Sequence, residues 1–529
     1  MAERVYIYDT TLRDGGQTQG IDFGVADKVA IARELDALGV DYIEAGWPGA
    51  NPTDDALFAA PPALARARLV AFGMTRRPGR SAENDPGFAA ILNAGAPAAC
   101  LVGKSWDFHV ATALGVSPEE NLAMIRDSVT LAAGRVGEAM LDAEHFFDGY
   151  KANPEYALAC VAAALDGGAR WVVLCDTNGG TLPDEVSRIV AEVARKFPGD
   201  RLGIHCHNDS ATAVASSLAA VRAGVRQVQG TLNGLGERCG NADLVAVLPN
   251  LMLKMGFETG VGDDGLARLT HTSRLIDERL NRAPDRARPF VGDSAFAHKG
   301  GLHVSAVAKD PRTYEHIDPA AVGNRRQVVV SDQAGRANIV HRFAELGIDI
   351  DPDSPGIGRL VKLVKEREAA GFAYDGAAAS FELLARRTLG SVPDYFHLTG
   401  FRVLDEQRTD ARGERVTLSE ATMKVVVKGA PVMTVAEGNG PVDALAQGLK
   451  KALIGAYPVL ADTRLVDYKV RILTPEAGTG AAIRVMIESE DGAGRRWATV
   501  GVSTNVIAAS YDAMHDAITY RLLRDRLDL

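Results

Sequence analysis

Eight short apolar runs recur through the first half of the chain, each followed by a stretch with helical spacing. The runs lie near Val5–Asp9, Tyr42–Ala45, Leu69–Gly73, Ala98–Val102, Ala139–Ala143, Trp171–Cys175, Leu202–Cys206 and Gln227–Thr231. After the first run, Val25, Val29, Ala32, Leu35 and Leu38 fall on one helical face and Gly39 follows as a stop signal. Further helices are expected to start near Asp54, Asn84, Ser117, Asn153, Leu182, Ser210 and Asn241. Eight strand–helix units in about 255 residues are the size of a (β/α)8 TIM barrel, an α/β fold. A doubly wound open sheet is the competing architecture, and the lack of a GxGxxG after the first strand weakens it.

Polar residues gather where these strands end. Arg13 and Asp14 follow the first and Glu44 closes the second. Thr75 and Arg76, Lys104 and Ser105, Glu144 and His145, and Asp176 and Thr177 follow the next four. His205, His207 and Asn208 come with the seventh, and Asn233, Glu237 and Arg238 with the eighth. In a closed barrel such ends meet on one face, where enzymes of this architecture place their chemistry.

The stretch "LGIHCHNDS" is the most specific of these. Side chains alternate along a strand, so His205 and His207 share a face and Cys206 points away. With Asp14 they offer one carboxylate and two imidazoles, to which Asn241 could add an oxygen. That mixture suits Mn²⁺, Mg²⁺, Zn²⁺ or Co²⁺ rather than a soft metal. The plain alternative is a pair of hydrogen-bonded core histidines. Arg13 can bind a developing oxyanion or simply pair with Glu44. Glu144 reads as a general base or as half of a structural ion pair. Thr177 reads as a carboxylate ligand or as the cap of a turn.

Composition narrows the function classes. The 529 residues carry a formal net charge of −10, which argues against nucleic acid or a membrane surface as partner. No apolar run is long enough to span a bilayer, and the N-terminus has no basic-then-apolar leader, so a cytoplasmic protein is expected. The five cysteines include no CxxC pair, which favours buried free thiols over disulfides or a structural zinc site.

The alternation stops near residue 285. "RAPDRARPFVGD" reads as a linker, and the region to about 390 reads as helical and loop-rich subdomains. From about Val392 long alternating strands appear, with a repeat visible in "TVAEGNGPVDALAQGLKKAL" and "TVGVSTNVIAASYDAMHDAI". The expected organisation is therefore a catalytic barrel over 1–285, linker subdomains over 286–391, and an α+β domain over 392–529. That last domain would hold two βββα units and serve dimerisation or ligand sensing.

The motifs "YDTTLRDGGQ", "HCHNDS", "NGLGERCGNA" and "HKGGLHVSA" together resemble the 2-isopropylmalate synthase and homocitrate synthase family of acyl-CoA-dependent condensing enzymes. "EAGWPGANPTD", "VGKSWDFHV", "DAEHFFDGYKANPEY" and "PFVGDSAFAHKGGLHVSAV" resemble its citramalate-forming branch. The resemblance implies condensation of acetyl-CoA with pyruvate and water to citramalate and CoA, on a threonine-independent route to isoleucine. It implies a divalent metal ion on Asp14, His205, His207 and Asn241. Arg13 would meet the 2-oxoacid oxygen, Thr177 its carboxylate and Glu144 the acyl methyl. His303 would act from the linker segment, in this family often from a partner subunit. It further implies a homodimer and a C-terminal regulatory domain with isoleucine as effector. Relatives often carry Asp two residues after that histidine, where this chain has Ser305. The competing functions are condensation with a larger 2-oxoacid, carbon–carbon cleavage as in acyl-CoA lyases, and a non-catalytic amino-acid sensor.

Overall fold

The computed structural model describes residues 3–280, 282, 284–298, 301–328, 355–388, 392–409 and 412–527. Its chain divides into two units: Met1–Phe296 with His316–Arg326, and Ala297–Glu315 with Gln327–Leu529.

The first unit is a closed barrel of eight parallel strands in sequential order: β1 (Tyr6–Asp9), β2 (Tyr42–Gly46), β3 (Arg68–Met74), β4 (Ala98–Lys104), β5 (Glu138–Glu144), β6 (Trp171–Asp176), β7 (Leu202–Cys206) and β8 (Gln227–Gly230). Pairing of β1 with β8, Tyr8 opposite Gln229, closes the ring. Strands covered on both sides need no polar alternation, and β6, "WVVLCD", is buried at every position. Helices alternate with the strands, and the sequence punctuates their starts. Asn51, Asp85, Ser117 and Asn153 each precede a proline, and each side chain accepts a backbone N–H from the first turn of the helix that follows. The helices expected near Ser210 and Asn241 begin later, at Ala213 and Leu244, so Asn208 and Asn241 stay in loops.

The barrel interior is graded. Tyr8, Tyr42, Val70, Phe72, Cys100, Met140 and Trp171 form an apolar cluster. Inward-facing Glu44, Asp142, His205 and Gln229 are buried within the strands, toward the barrel mouth. A second core lies between strands and helices, joined by Leu35, Ile43, Leu101, Phe146 and Val190. The proline- and arginine-rich segment expected as a linker is packed on this core instead. Phe290, Val291 and Phe296 are buried in it, and Arg288 pairs with Asp243 at 3.1 Å. The apolar residues that follow the arginines decide the matter.

Asp36, buried near the end of helix Val25–Leu38, ties that helix to the approach to β3. It accepts the backbone N–H groups of Ala65, Arg66 and Ala67 at 2.8, 2.8 and 2.7 Å. Burial raises its pKa, but the three N–H donors outweigh burial and the net shift is downward. A lowered native pKa means the stabilisation is fully present above the ordinary carboxylate range and is lost as pH falls through the native value. Asp36→Asn is expected to cost about 1–3 kcal/mol at neutral pH. In urea titrations the gap between variant and parent should close in strong acid.

The second unit holds two antiparallel three-stranded sheets, Phe396–Thr409, Arg415–Val427 and Ala430–Gly438 in one, Arg464–Ile472, Ile483–Glu490 and Arg496–Ser503 in the other. Each is followed by a helix, Pro441–Leu453 and Val506–Leu527, so the repeat seen in the sequence is a duplicated βββα unit. Met423, Val425, Leu445, Leu449, Val485, Ile487 and Met514 share one core. Among the described residues no helix is long and apolar enough to cross a membrane. All five cysteines are free thiols; four are buried as expected, whereas Cys239 is exposed.

Candidate active site

After β1 the backbone turns back over the barrel mouth. Asp9 braces the turn by accepting the Thr11 N–H and hydroxyl, both at 2.9 Å. Burial lifts the Asp9 carboxyl to about 7 even against those donors. The turn delivers Arg13 and Asp14, both nearly buried. Arg13 donates from Nε to Glu44 Oε1 at 2.5 Å and pairs through Nη1 with Asp14. Its guanidinium lies 3.7 Å over the Phe72 ring. Burial opposes the Arg13 charge, but Asp14 and Glu44 outweigh it and its pKa is raised. Glu44 also accepts from the Tyr8 hydroxyl at 2.6 Å; burial pushes its carboxyl up to about 7 despite Arg13. Arg13 is thus ion-paired with Glu44, and it sits at the barrel mouth.

Asp14 meets the other expected ligands. Its Oδ2 lies 3.7 Å from His205 Nε2 and accepts from Asn241 Nδ2 at 3.0 Å. Burial raises the Asp14 pKa, but Arg13, His205 and His207 outweigh burial and leave it lowered. The His205 and His207 rings stand 5.2 Å apart, so the pair does converge. β7 ends at Cys206, and His207 instead bridges to Asn241 in the loop beyond β8. The two imidazoles differ in what holds them. His205 Nδ1 faces Gln229 Oε1 at 2.9 Å, whereas His207 Nδ1 accepts from Arg238 Nη2 at 2.9 Å. Burial, then His205, then Arg238 among the charges, push His207 down to about 3.

Do these donors fit a divalent cation? Asn241 spends its amide N–H on Asp14, and its Oδ1 is buried with no hydrogen-bond partner among the described residues. A buried amide oxygen without a donor is costly, and beside a carboxylate and an imidazole it is the oxygen a hard or borderline cation takes. The set fits.

Glu144 and Thr177 lie at the ends of β5 and β6. Glu144 is opposite Lys104 in the β4–β5 register and ion-paired with it. Thr177 Oγ1 accepts the His145 N–H at 2.8 Å, which ties the two loops together rather than capping a turn. Among the described residues no acceptor takes its hydroxyl proton. His145, in the left-handed region at φ 57°, faces His109 at 4.4 Å between ring centroids. His303 belongs to the second unit, on helix Gly301–Lys309, where its ring stacks on Tyr314 at 4.1 Å. Of the basic residues flanking it, Lys299 lies outside the described residues and Arg312 is engaged by Asp310. Ser305 sits on the same helix.

Two residues of the mouth were not anticipated from the sequence. Gln229 links His205 to Asp142, donating from Nε2 to Asp142 Oδ1 at 3.0 Å. Asp142 in turn groups with Glu44 and Cys100, ligand atoms within 4.8 Å of one another. Burial pushes the Cys100 thiol well above its usual range, so it stays protonated. Both residues were visible as polar breaks inside barrel strands, in "EAMLDAE" and "QVQG".

Comparison with known proteins places three family models on the chain. HMGL-like matches residues 4–276, the homocitrate synthase post-HMGL domain-like model matches 290–369, and the LeuA allosteric (dimerisation) domain matches 375–522. An (R)-citramalate synthase from Aquifex aeolicus is 51% identical, covering 99% of both chains. One from Synechocystis sp. is 50% identical over 98% of this chain and 96% of its own. A 2-isopropylmalate synthase from Carboxydothermus hydrogenoformans is 30% identical over 99% of this chain and 98% of its own.

Proposed function

This chain belongs to the (R)-citramalate synthase family, and from that premise we propose that it condenses acetyl-CoA with pyruvate and water to give citramalate and CoA. The observation that carries the reading is the near-complete coverage of those relatives at half identity, against 30% for a 2-isopropylmalate synthase of the same architecture.

The residues at the mouth divide the work. Arg13 has Nε and Nη1 committed to Glu44 and Asp14, which leaves Nη2 for the ketone oxygen of pyruvate as that oxygen gains charge. Thr177 donates a hydrogen bond from its hydroxyl to the pyruvate carboxylate. Glu144 removes a proton from the acetyl methyl, and Lys104 holds its carboxylate in place. The methyl carbon then bonds to pyruvate C2 as the C2–oxygen π bond opens, and the resulting alkoxide takes up a proton to become the product hydroxyl. Water cleaves the thioester, releasing CoA. A positioned base contributes roughly 10²–10⁴-fold. Asp14, His205 and Asn241, with His207 once it releases Arg238, would hold a divalent cation, which supplies Lewis-acid polarisation of the 2-oxoacid oxygens.

We extend the proposal to a cytoplasmic homodimer on a threonine-independent route to isoleucine. Its second unit would carry feedback inhibition by isoleucine. Release of free CoA with pyruvate, 2-oxoisovalerate and 2-oxoglutarate tests the reaction. Pyruvate should support turnover at least tenfold faster than either competitor, and isoleucine should inhibit more strongly than leucine or valine. Preference for a larger 2-oxoacid would reject the citramalate assignment, and a monomer by light scattering would reject the dimer.

A further inference from the structure

We infer that Gln229 and Asp142 are a positioning pair that fixes the tautomer of His205, presenting its Nε2 lone pair beside Asp14. The inference rests on the cation reading above. Asp142 Oδ1 receives the Gln229 amide N–H at 3.0 Å. With the Gln229 amide N–H on Asp142 Oδ1, the atom that faces His205 Nδ1, 2.9 Å away, is Gln229 Oε1. An amide oxygen has no proton to give, so Nδ1 carries one. The lone pair of the neutral ring is then on Nε2, the nitrogen 3.7 Å from Asp14 Oδ2.

Register and burial make the arrangement rigid. His205 and Gln229 are direct partners in the β7–β8 pairing. Gln229 is 0% exposed, Asp142 4% and His205 5%, so bulk water offers no competing partner. The same logic governs Asn241, whose amide is oriented by Asp14, but it does not govern His207, whose Nδ1 accepts from Arg238. Of the two imidazoles, His205 alone is preset to ligate through Nε2. Gln229 and Asp142 act through His205 and touch no substrate.

Titration of the full-length, metal-stripped protein with Co²⁺, followed by its visible absorption bands, tests the pair. Gln229→Leu should weaken Co²⁺ binding roughly 10–100-fold and alter the bands. Gln227→Leu removes an equally buried glutamine whose amide, among the described residues, reaches only the Met140 sulfur, and should leave both unchanged. The exchanged pair Asp142→Asn with Gln229→Glu restores an acceptor to His205 Nδ1 and a donor to residue 229. It should bind within about threefold of the parent, a recovery that packing alone does not give. Parent-like affinity and bands in Gln229→Leu, or an exchanged pair as weak as Gln229→Leu, overturns the inference. Should Gln229→Leu fail to fold, Gln229→Met and the exchanged pair carry the same expectations. His205→Ala distinguishes failure of cation binding from failure of the positioning pair. If it binds Co²⁺ like the parent, the cation reading itself fails. If it loses binding while Gln229→Leu does not, only the positioning pair fails.

Discussion

Replacing Arg13 with lysine lowers kcat by about 10²–10³-fold, the usual consequence of removing one preorganised donor from a developing oxyanion. The reason lies in the fork. Nε and Nη1 are spent on Glu44 and Asp14, and the plane is stacked on Phe72. Only a planar guanidinium can meet two carboxylates and still extend a third nitrogen toward substrate. A lysine ammonium keeps the charge among the buried carboxylates, so folding should survive. Alanine would strand those carboxylates without a cation, at about 3–5 kcal/mol, and would confound the measurement. The check is steady-state CoA release alongside a urea titration. A lysine variant within threefold of the parent would show that Arg13 is a structural ion pair and nothing more.

Gly240→Ala is expected to destabilise the first unit by about 2–4 kcal/mol and to remove cation binding with it. Gly240 sits at φ +85°, and a Cβ there would fall 1.9 Å from the Gly234 carbonyl oxygen. Backbone cannot swing aside as a side-chain tip can. The Gly240 carbonyl also accepts the Asn208 N–H at 2.8 Å, and the next residue is Asn241, bridged to His207. Shifting this one turn therefore moves Asn241 and His207 together. Urea denaturation and Co²⁺ titration read the two effects. Native stability with native affinity would mean that the loop relaxes without moving its donors.

Much of this unit is legible in the sequence because its signals are local. Each strand is a short apolar run and each run ends in polar residues. Asn, Asp or Ser before Pro marks the helix starts. The strand reading placed His205 and His207 on one face, although His207 achieves this through a loop bridge rather than as part of β7. Gln229 and Asp142 escaped because they sit inside strands, where one polar residue reads as noise. Only ring closure, which puts β5 across from β7 and β8, gives them a shared purpose. The packing of Phe290 and Val291 escaped for the opposite reason. Their neighbours are arginine and proline, and composition averaged over the segment hid two apolar anchors. Arg238 as the partner of His207 could not be read at all, since loop geometry decides it.

The seam between the first and eighth strands has a temporal consequence. Asp14 and Asn241 are 227 positions apart, and contacts so distant in sequence form late and slowly. A nascent chain leaving the ribosome must expose all eight strands before this carboxylate can meet this amide. Cobalt uptake during refolding would then serve as a clock for the last stitch, lagging behind the recovery of helical signal.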